Sequence, residues 1–288
     1  MPGVDLSGAA ALVTGASRGI GPHIAAALAK RGARLAITAR SEGELSEVAE
    51  KLKRAGAIVI AITADVTSPA QRRELVHSAA ESLGTIDVLV NNAGGDPQRH
   101  FHHLSEDELQ AVLDLNLTAP LMLSRLVLPG MLERGRGHIV NVSSMAGRTG
   151  FPLTEAYAAA KDGLIALTRV LRTDYRRSGV SASTLILGPV RDAGVGQRTA
   201  EELGLKLPPD ALMASPDAVA RAAVRAIVKN KTEVAVMPGP GRTIRALMDR
   251  FPGMGPRMNH LAGVEATMLR VAEHREQAAR KLLEGPAG

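Results

Sequence analysis

A-A-A-L-V-T-G-A-S-R-G-I-G, residues 9–21, is a short apolar run followed at once by a glycine-rich segment. The apolar run is typical of a buried β-strand, and the alanine-rich residues 23–31 are typical of a helix. A glycine-rich turn between a strand and a helix lets the backbone approach a phosphate group, whose charge is met by the N–H groups of the helix N-terminus. Glycines often serve only the turn itself, and the spacing GxxxGxG differs from GxGxxG, so this stretch alone leaves phosphate binding open.

Strand and helix signals continue to alternate along the chain. Such alternation predicts a parallel sheet covered by helices on both faces, with right-handed crossovers. We therefore expect an α/β fold, a doubly wound parallel sheet of about seven strands, in one domain over residues 1–238. Residues 188–214, which have few regular signals, are expected to form a substrate loop, and residues 239–288 a C-terminal helical extension with two amphipathic patterns. The strand-like runs are 9–14, 34–39, 57–63, 86–91, 137–142, 180–187 and 233–237.

Tyr157 and Lys161 stand four residues apart in the sequence Y-A-A-A-K, and Ser144 precedes the tyrosine by thirteen residues. On a helix, side chains four residues apart share a face, so the ammonium group would lie beside the phenol. A neighbouring positive charge favours the phenolate, and we expect Lys161 to lower the pKa of Tyr157. Alternatively, the tyrosine is incidental and the lysine is solvated. Because the chain has only 2 tyrosines, a chance match to this pattern is less expected.

Together these motifs resemble those of the short-chain dehydrogenase/reductase family, over roughly the first 240 residues. Their order and spacing carry the resemblance, because any one of them alone is a weak signal. The resemblance implies a Rossmann-type fold, NADP(H) as cofactor and an oxidoreductase activity. The matching segments are T-G-A-S-R-G-I-G (14–21), A-D-V (64–66), N-N-A-G (91–94), Asn116, Ser144, Tyr157 and Lys161.

The resemblance also implies which residues bind the cofactor. Gly15, Gly19 and Gly21 would hold the pyrophosphate, Asp65 would contact the adenine, and Asn91 would lie beside the adenosine ribose. For Asp65 the alternative is a surface residue at a strand end, and for Asn91 a turn residue. The full set is Gly15, Ser17, Arg18, Gly19, Ile20, Gly21, Arg40, Ser41, Asp65, Val66, Asn91, Asn92, Ala93, Gly94, Tyr157, Lys161, Gly188, Pro189 and Val190.

The end of the predicted second strand indicates which cofactor is preferred. NAD-selective sites place an acidic side chain there, about twenty residues past the glycine turn. In this chain Ala39 and Arg40 occupy that position. A guanidinium group binds a 2′-phosphate with paired hydrogen bonds, with Arg18 and Ser41 close enough to add to the contact. Alternatively, Arg40 is only a solvated arginine at the end of a strand. The absence of an acidic side chain at this position nevertheless favours NADPH over NADH.

The chemistry implied by the resemblance is reversible reduction of a carbonyl to an alcohol. Tyr157 would give its proton to the developing alkoxide, and Ser144 would hydrogen-bond the same oxygen. Lys161 would also hold the nicotinamide ribose, and Asn116 would position a water that links Lys161 to solvent. For Asn116 the alternative is a helix bend. Ser143 is the nearest rival of Ser144, but the spacing to the tyrosine favours Ser144.

The substrate is expected to be a small ketone or secondary alcohol with an apolar body. Apolar residues near the expected pocket, including Met145, Leu203 and Met213, carry this expectation. One alternative is a 3-oxoacyl-thioester reductase that receives an acidic carrier protein. A non-enzyme alternative is an NADP(H)-sensing protein, which we would expect to lack a catalytic residue. After Pro189 the chain departs from the family, because Asp192 replaces the expected threonine or the threonine is lost.

Composition excludes several other classes. Net charge is +6, but 35 basic residues are scattered among 29 acidic ones and aromatics are only 2%, which argues against nucleic acid. The absence of cysteine excludes disulfides and thiolate chemistry and fits a reducing compartment. We expect a cytoplasmic protein, since no apolar run approaches the length of a membrane span and the N-terminus lacks a signal-peptide pattern.

The sequence His100-Phe-His-His103 invites a metal interpretation. It lacks a carboxylate or cysteine partner at zinc-like spacing, and it precedes Ser105-Glu-Asp-Glu108, which resembles a capping box. We therefore predict no metal site here.

Two helical regions, 105–133 and 152–178, carry apolar residues on more than one side. Such helices are fully buried or shared with a partner, and the family resemblance makes a homodimer or homotetramer the expectation. The apolar stripes of residues 239–288 have two interpretations, packing against the domain or a partner subunit, and binding to a membrane surface. Packing is favoured because acidic residues interrupt the basic face and tryptophan is absent.

Overall fold

One parallel sheet forms the centre of the computed structural model, which describes residues 3–191, 203–205, 213–238, 241–261 and 263–284. Its strands are β1 (Ala10–Thr14), β2 (Arg34–Ala39), β3 (Val59–Thr63), β4 (Val88–Asn91), β5 (Gly137–Ser144), β6 (Val180–Leu187) and β7 (Glu233–Val236). Their order is β3-β2-β1-β4-β5-β6-β7, and every neighbouring pair is parallel. The predicted seven-stranded, doubly wound fold is confirmed.

Helices connect the strands, and local sequence signals mark where several of them begin. They are α1 (Gly21–Ala29), α2 (Glu42–Arg54), α3 (Pro69–Leu83), α4 (Glu106–Leu113), α5 (Ala119–Glu133), α6 (Ala146–Thr149), α7 (Glu155–Asp174), α8 (Pro216–Val228), α9 (Gly241–Arg250), α10 (Met254–Leu261) and α11 (Val264–Glu284). The hydroxyl of Ser68 accepts a hydrogen bond from the N–H of Gln71 at the start of α3. Ser105 and Glu108 form the predicted capping box of α4.

Two apolar clusters lie on opposite faces of the sheet. In β1, Ala11 and Val13 belong to the cluster shared with α1, α2 and α8, whereas Ala10 and Leu12 belong to the cluster shared with α3 and α5. Successive side chains of a strand point to opposite faces, so both faces of the central strand are buried. This is why β1 is apolar throughout rather than alternating.

The sheet also determines where a ligand can bind. β1 lies between β2 and β4, so the strand order reverses at that point. Open parallel sheets bind ligands beyond the carboxyl ends of their strands, in the crevice at this reversal. Thr14, Asn91, Ser144 and Leu187 end their strands at that common edge.

The helical segment Glu106–Glu133 is, within the described residues, long and apolar enough by composition to cross a membrane. The expectation that no apolar run approaches that length is therefore wrong as a statement about sequence. The segment nevertheless packs inside the domain, because α4 contacts α7, and α5 contacts α3, β4 and β5. Its inner face is buried, including Leu123, Val127 and Met131, which identifies it as a core helix.

After β7 the described residues form three helices, α9, α10 and α11, where the sequence predicted two amphipathic patterns. Both α9 and α10 contact α6, the short helix that follows Ser144. Met248 of α9 is buried in a cluster with Met145, Ile165 and Ile186, and Met254 of α10 packs against it. The extension thus packs against this domain, next to the end of β5.

Candidate active site

The glycine loop after β1 fits against the loop after β4. Gly15 has a φ of +64°, and a Cβ there would lie 2.8 Å from the Cα of Ala93. The Nδ2 of Asn92 donates to the carbonyl oxygens of Thr14 and Gly15, both at 3.0 Å. The Oγ1 of Thr14 accepts from the N–H groups of Asn92 at 3.0 Å and Ala93 at 3.1 Å. A glycine is therefore required at position 15, and hydrogen bonds join the two loops into one surface.

The predicted adenosine end of the site lies at the carboxyl ends of β2 and β3. Arg40 and Ser41 are exposed there and Val66 is buried, while Arg18 is exposed in the glycine loop after β1. Burial of Asp65 opposes its ionisation, but hydrogen bonds from Thr67 and the nearby charge of Arg40 outweigh this effect and lower its pKa. The guanidinium group of Arg40 is thus close to Asp65, where a phosphate on the adenosine ribose was predicted to bind.

Asn91 does not occupy the position predicted for it. Its side chain is buried and its Nδ2 donates to Asn141 Oδ1 at 2.8 Å and Ser124 Oγ at 3.3 Å. These contacts tie β4 to β5 and α5, so Asn91 supports the sheet and its side chain does not line the crevice beside the ribose. Asn92, the next residue, makes the contacts to the glycine loop.

Ser144 and Tyr157 meet at the end of β5. The side chain of Ser144 is close enough to act on the hydroxyl of Tyr157, and the Oγ of Ser144 accepts from the N–H of Ala146 at 3.1 Å. Ser143 points away from them, because its hydroxyl donates to the carbonyl of Lys161 at 2.7 Å and is buried. The structure therefore brings together the predicted serine and tyrosine and gives the rival serine a structural contact.

The expected lowering of the tyrosine pKa by Lys161 is wrong for this structure. Burial raises the pKa of Tyr157 to about 12, the hydrogen bond from Ser144 acts in the opposite direction, and the charge of Asp96 adds to the rise. The Lys161 Nζ lies over the tyrosine ring, 5.4 Å from its centroid, and donates to the carbonyl of Val142 at 3.0 Å. Tyr157 therefore holds its proton at neutral pH, as a proton donor must.

Lys161 and Asn116 flank Gly94. A Cβ on Gly94 would lie 2.8 Å from Asn116 Oδ1 and 3.0 Å from Lys161 Nζ, so a side chain there would displace both groups. Lys161 is buried, and burial lowers its pKa to about 8. The lysine, the asparagine and the loop after β4 therefore form a tightly packed unit behind Tyr157.

A π-helical turn, Asp114–Thr118, separates α4 from α5 and contains Asn116. The Nδ2 of Asn116 donates to the carbonyls of Gly95 at 2.7 Å and Val112 at 2.8 Å, and its Oδ1 accepts from the N–H of Gly95 at 3.2 Å. Such turns interrupt the helical hydrogen bonding and are frequent at functional sites. A polar residue inside an apolar helix was the only signal of this turn in the sequence.

Asp96 is a site residue that the sequence reasoning missed. Burial raises its pKa to about 7, and hydrogen bonding from Gln98 and the charge of Arg275 only partly oppose this rise. Its Oδ2 is buried without a hydrogen-bond partner, and its charge acts on Tyr157. The signal available in the sequence was an aspartate directly after the N-N-A-G-G stretch.

The loop after β6 is anchored at its base. The N–H of Ala214 donates to the carbonyl of Pro189 at 2.8 Å, and Val190, which is buried, forms a bridge with Ala214. The N–H of Gly188 donates to the carbonyl of Val236 at 3.1 Å. Asp192 and most of the predicted substrate loop lie outside the described residues.

Two regions therefore enclose the crevice. We call the loops 15–21 and 91–95 with Ser144, Tyr157 and Lys161 the floor, and α9–α11 the cover. In the cover, Asn259 Nδ2 donates to the carbonyls of Thr149 at 3.1 Å and Gly150 at 3.3 Å. Arg275 Nη1 donates to the carbonyls of Asp96 at 3.1 Å and Pro97 at 2.7 Å. The cover thus binds both the end of α6 and the loop after β4.

The sequence argument against a metal rested on a missing carboxylate, and the cover supplies one. Glu276 of α11 contacts His100 and His103, so the histidines do have an acidic partner. Sequence spacing cannot reveal it because the glutamate is more than 170 residues away.

Comparison with known proteins identifies the family of the chain. A sequence model of the short chain dehydrogenase family matches residues 9–204, and the chain belongs to this family. It is 40% identical over 235 residues to the ketoacyl reductase HetN of Nostoc sp., covering 82% of this chain and 80% of that protein. It is 36% identical over 185 residues to the 3-oxoacyl-[acyl-carrier-protein] reductase FabG of Vibrio cholerae, covering 64% and 75%.

A crystal structure of a variant of actinorhodin polyketide ketoreductase with NADPH matches the fold with a TM-score of 0.74 and 30% identity, covering 83% of this chain and 99% of that chain. The uncovered part of this chain therefore has no counterpart in that protein.

Proposed function

We propose that this protein is an NADPH-dependent reductase that converts a ketone to a secondary alcohol, and that the reaction is reversible. The observation that carries the proposal is the contact between Ser144 and Tyr157, with Lys161 behind them, at the edge of the sheet where strand order reverses. The names of the relatives, ketoacyl reductase and polyketide ketoreductase with NADPH, support the same reaction.

The chain has a suitable surface for NADPH. Gly15 has no room for a side chain because the loop after β4 lies against it, and Gly94 has none because Asn116 and Lys161 do. Both loops therefore keep a bare backbone that a cofactor can approach closely. We assign Arg18, Arg40 and Ser41 to the 2′-phosphate, because no acidic residue stands at the end of β2.

When bound, NADPH supplies the hydride that reduces the carbonyl carbon. Tyr157 donates its hydroxyl proton to the carbonyl oxygen as negative charge develops there, and Ser144 donates a hydrogen bond to the same oxygen. Lys161 and Asn116 hold the tyrosine and its neighbouring loop in place and lie on the path by which the tyrosine regains a proton. We assign these roles from the positions and the acid–base chemistry of the four side chains.

The substrate is proposed to have an apolar body. Met145 follows Ser144 directly and is buried with Met248 of the cover, and Met237 and Met254 pack against this cluster. Methionine side chains adapt to irregular apolar shapes, so this methionine cluster suits a substrate with a flexible aliphatic chain.

A 3-oxoacyl thioester is the second candidate, because two relatives are named for that reaction class. The net charge of +6 would favour delivery by an acidic carrier protein.

We also propose a cytoplasmic homodimer or homotetramer. Leu121 and Met122 of α5 and Val170 of α7 are large apolar side chains with 37%, 39% and 55% of their surface exposed. Exposed apolar patches of this kind mark contact surfaces, and a second copy is the simplest partner.

The test is NADPH oxidation by the purified protein with aliphatic ketones, 3-oxoacyl thioesters on a small thiol or on a carrier protein, and quinones. Turnover of a ketone or 3-oxoacyl group supports the proposal, and the ratio of kcat/KM with and without the carrier protein decides between the two substrates. NADPH binding without turnover of any carbonyl would contradict it and favour a cofactor sensor.

A further inference from the structure

Three histidines gather on a single turn directly after the floor. His100 precedes a 3₁₀ turn, Phe101–His103, and the ring centroids of His100, His102 and His103 lie 4.1–5.6 Å apart. The chain has 8 histidines, so this turn holds a large share of them. None of them has a role in the reaction proposed above.

Glu276 of α11 reaches into this cluster. Its Oε1 lies 2.8 Å from His100 Nδ1 and 3.0 Å from His103 Nδ1, and it also accepts from the N–H of His100 at 3.1 Å. Its side chain is only 12% exposed. The two imidazole nitrogens and the carboxylate oxygen all lie within 4.8 Å of one another.

We propose that His100, His103 and Glu276 bind one Zn²⁺ ion that fastens the cover to the loop after β4. Two imidazole nitrogens and one carboxylate oxygen are a ligand set that suits zinc and other late divalent metals and does not suit Mg²⁺ or Ca²⁺. Ligand atoms about 2.0–2.2 Å from a tetrahedral ion are about 3.3–3.5 Å apart. The carboxylate oxygen lies 2.8 and 3.0 Å from the two imidazole nitrogens, so these two spacings need to widen by only about 0.5 Å. The two nitrogens, within 4.8 Å of each other, would adjust to the same separation, with water in the remaining position.

The charges around the cluster permit a cation. Arg99, the nearest cation on the same loop, is paired with Glu108 and donates to the carbonyl of His103 at 3.1 Å. Arg275, beside Glu276 in sequence, is engaged with the carbonyls of Asp96 and Pro97. Both guanidinium groups therefore have acceptors of their own, and the carboxylate of Glu276 faces the imidazoles.

The location gives the ion a structural consequence. The histidines follow Gly95, whose backbone is held by Asn116, by only a few residues. A metal bond between this segment and α11 would fix the cover over the crevice. Binding of Zn²⁺ should therefore protect the backbone amides of α11 and of residues 95–104 from hydrogen exchange.

The experiment uses the full chain without an affinity tag, stripped with a chelator and then titrated with Zn²⁺ by calorimetry, with bound metal measured by mass spectrometry. We expect one Zn²⁺ per chain, no comparable binding of Mg²⁺, and increased protection of the two segments. Changes in residues that only support a ligand lower affinity about 10–100-fold, so Glu276→Gln and His103→Gln, which each remove a ligand, should lower it at least about 100-fold.

A matched control separates this site from ordinary surface histidines. His77 and Glu81 on α3 form an exposed pair at 3.2 Å, so His77→Gln should leave Zn²⁺ affinity unchanged. Failure of the native protein to retain Zn²⁺, or unchanged affinity in both Glu276→Gln and His103→Gln, would overturn the proposal. Loss of protection in Glu276→Gln without any Zn²⁺ binding by the native chain would also overturn it, because hydrogen bonds alone would then hold the cover.

Discussion

The floor and the cover of the active site are held together in different ways. In the floor, adjoining strand ends are linked by short contacts such as those between Thr14, Gly15 and Asn92, and buried side chains leave little room for change. In the cover, helices distant in sequence are attached to surface loops by a few bonds, such as those of Asn259 and Arg275.

This difference separates two tasks. The floor holds the groups that transfer a proton, so substitutions there should lower turnover. The cover packs next to the end of β5 through Met248 and binds the end of α6 through Asn259, and among the described residues it makes no hydrogen bond to Tyr157. Substitutions there should therefore change substrate affinity.

Lys161→Met is expected to have the largest effect on activity without a corresponding loss of stability. Turnover should fall by about 10² or more, because the proton path and the support of Tyr157 are lost. Stability at pH 7 should not fall correspondingly, because burial lowers the pKa of Lys161 to about 8 and a charged buried lysine is costly. Below pH 8 Lys161 is charged in both the folded and the unfolded state. Keeping this charge buried then lowers the free energy of unfolding by its full amount, on the order of 3 kcal/mol.

Above pH 8 the folded lysine loses its proton while the unfolded one keeps it until about pH 10.5, so this group makes the native protein more stable as pH rises through that window. Urea unfolding from pH 7 to 10.5 should show this rise in the native protein and lose it in Lys161→Met. The exposed Lys51→Met is the control. An equal rise in all three proteins would show that Lys161 is not its source.

Arg40→Asp should reverse or erode the cofactor preference. The native enzyme is expected to prefer NADPH over NADH by at least about tenfold, since a charged hydrogen bond contributes about 1.5–3 kcal/mol. The new carboxylate would repel the 2′-phosphate, whereas Arg40→Gln removes only the attraction and should have a smaller effect. Ratios of kcat/KM for the two cofactors provide the measurement, and equal values in the native enzyme would refute the role of Arg40.

Asn259→Ala tests the cover. Loss of two hydrogen bonds to Thr149 and Gly150, at about 1 kcal/mol for each bond, should loosen α10 and raise KM for an apolar ketone by up to about 30-fold. NADPH affinity and kcat should stay close to their native values. As a control, His260→Gln at the neighbouring exposed position should leave KM, kcat and NADPH affinity unchanged. A fall in kcat with an unchanged KM would mean that the cover supports the chemistry rather than substrate binding.

Asp96→Asn should give the smallest effect, a shift in the pH profile. The charge of Asp96 raises the pKa of Tyr157, so its removal should lower that pKa and move the alkaline limb of kcat for reduction to lower pH, by less than about one unit. The exposed Asp107→Asn serves as the control. A shift toward higher pH would contradict the assignment.

Local patterns allowed the floor to be predicted and left the cover undetermined. The strands, the positions of Ser144, Tyr157 and Lys161, and the capping box at Ser105 follow from period, spacing and turn chemistry. Asn91 was placed wrongly because a motif does not say which way a side chain points, and its amide is used inside the sheet. The pKa of Tyr157 was misjudged because burial cannot be read from the spacing to a lysine.

Contacts between distant segments explain the remaining gaps. Glu276 contacts His100 and Arg275 contacts the carbonyl of Asp96 across 176 and 179 residues of sequence. The sequence separation of each pair therefore gives no signal that predicts the contact.

The most direct test of the account is the turnover of Tyr157→Phe with a ketone that the native enzyme reduces, measured together with NADPH affinity. The change removes only the hydroxyl, so NADPH affinity should stay near native while kcat falls by about 10² or more. Tyr175→Phe changes the other tyrosine, which lies at the end of α7, and should keep native turnover. Near-native turnover in Tyr157→Phe would contradict the claim that this residue donates the proton.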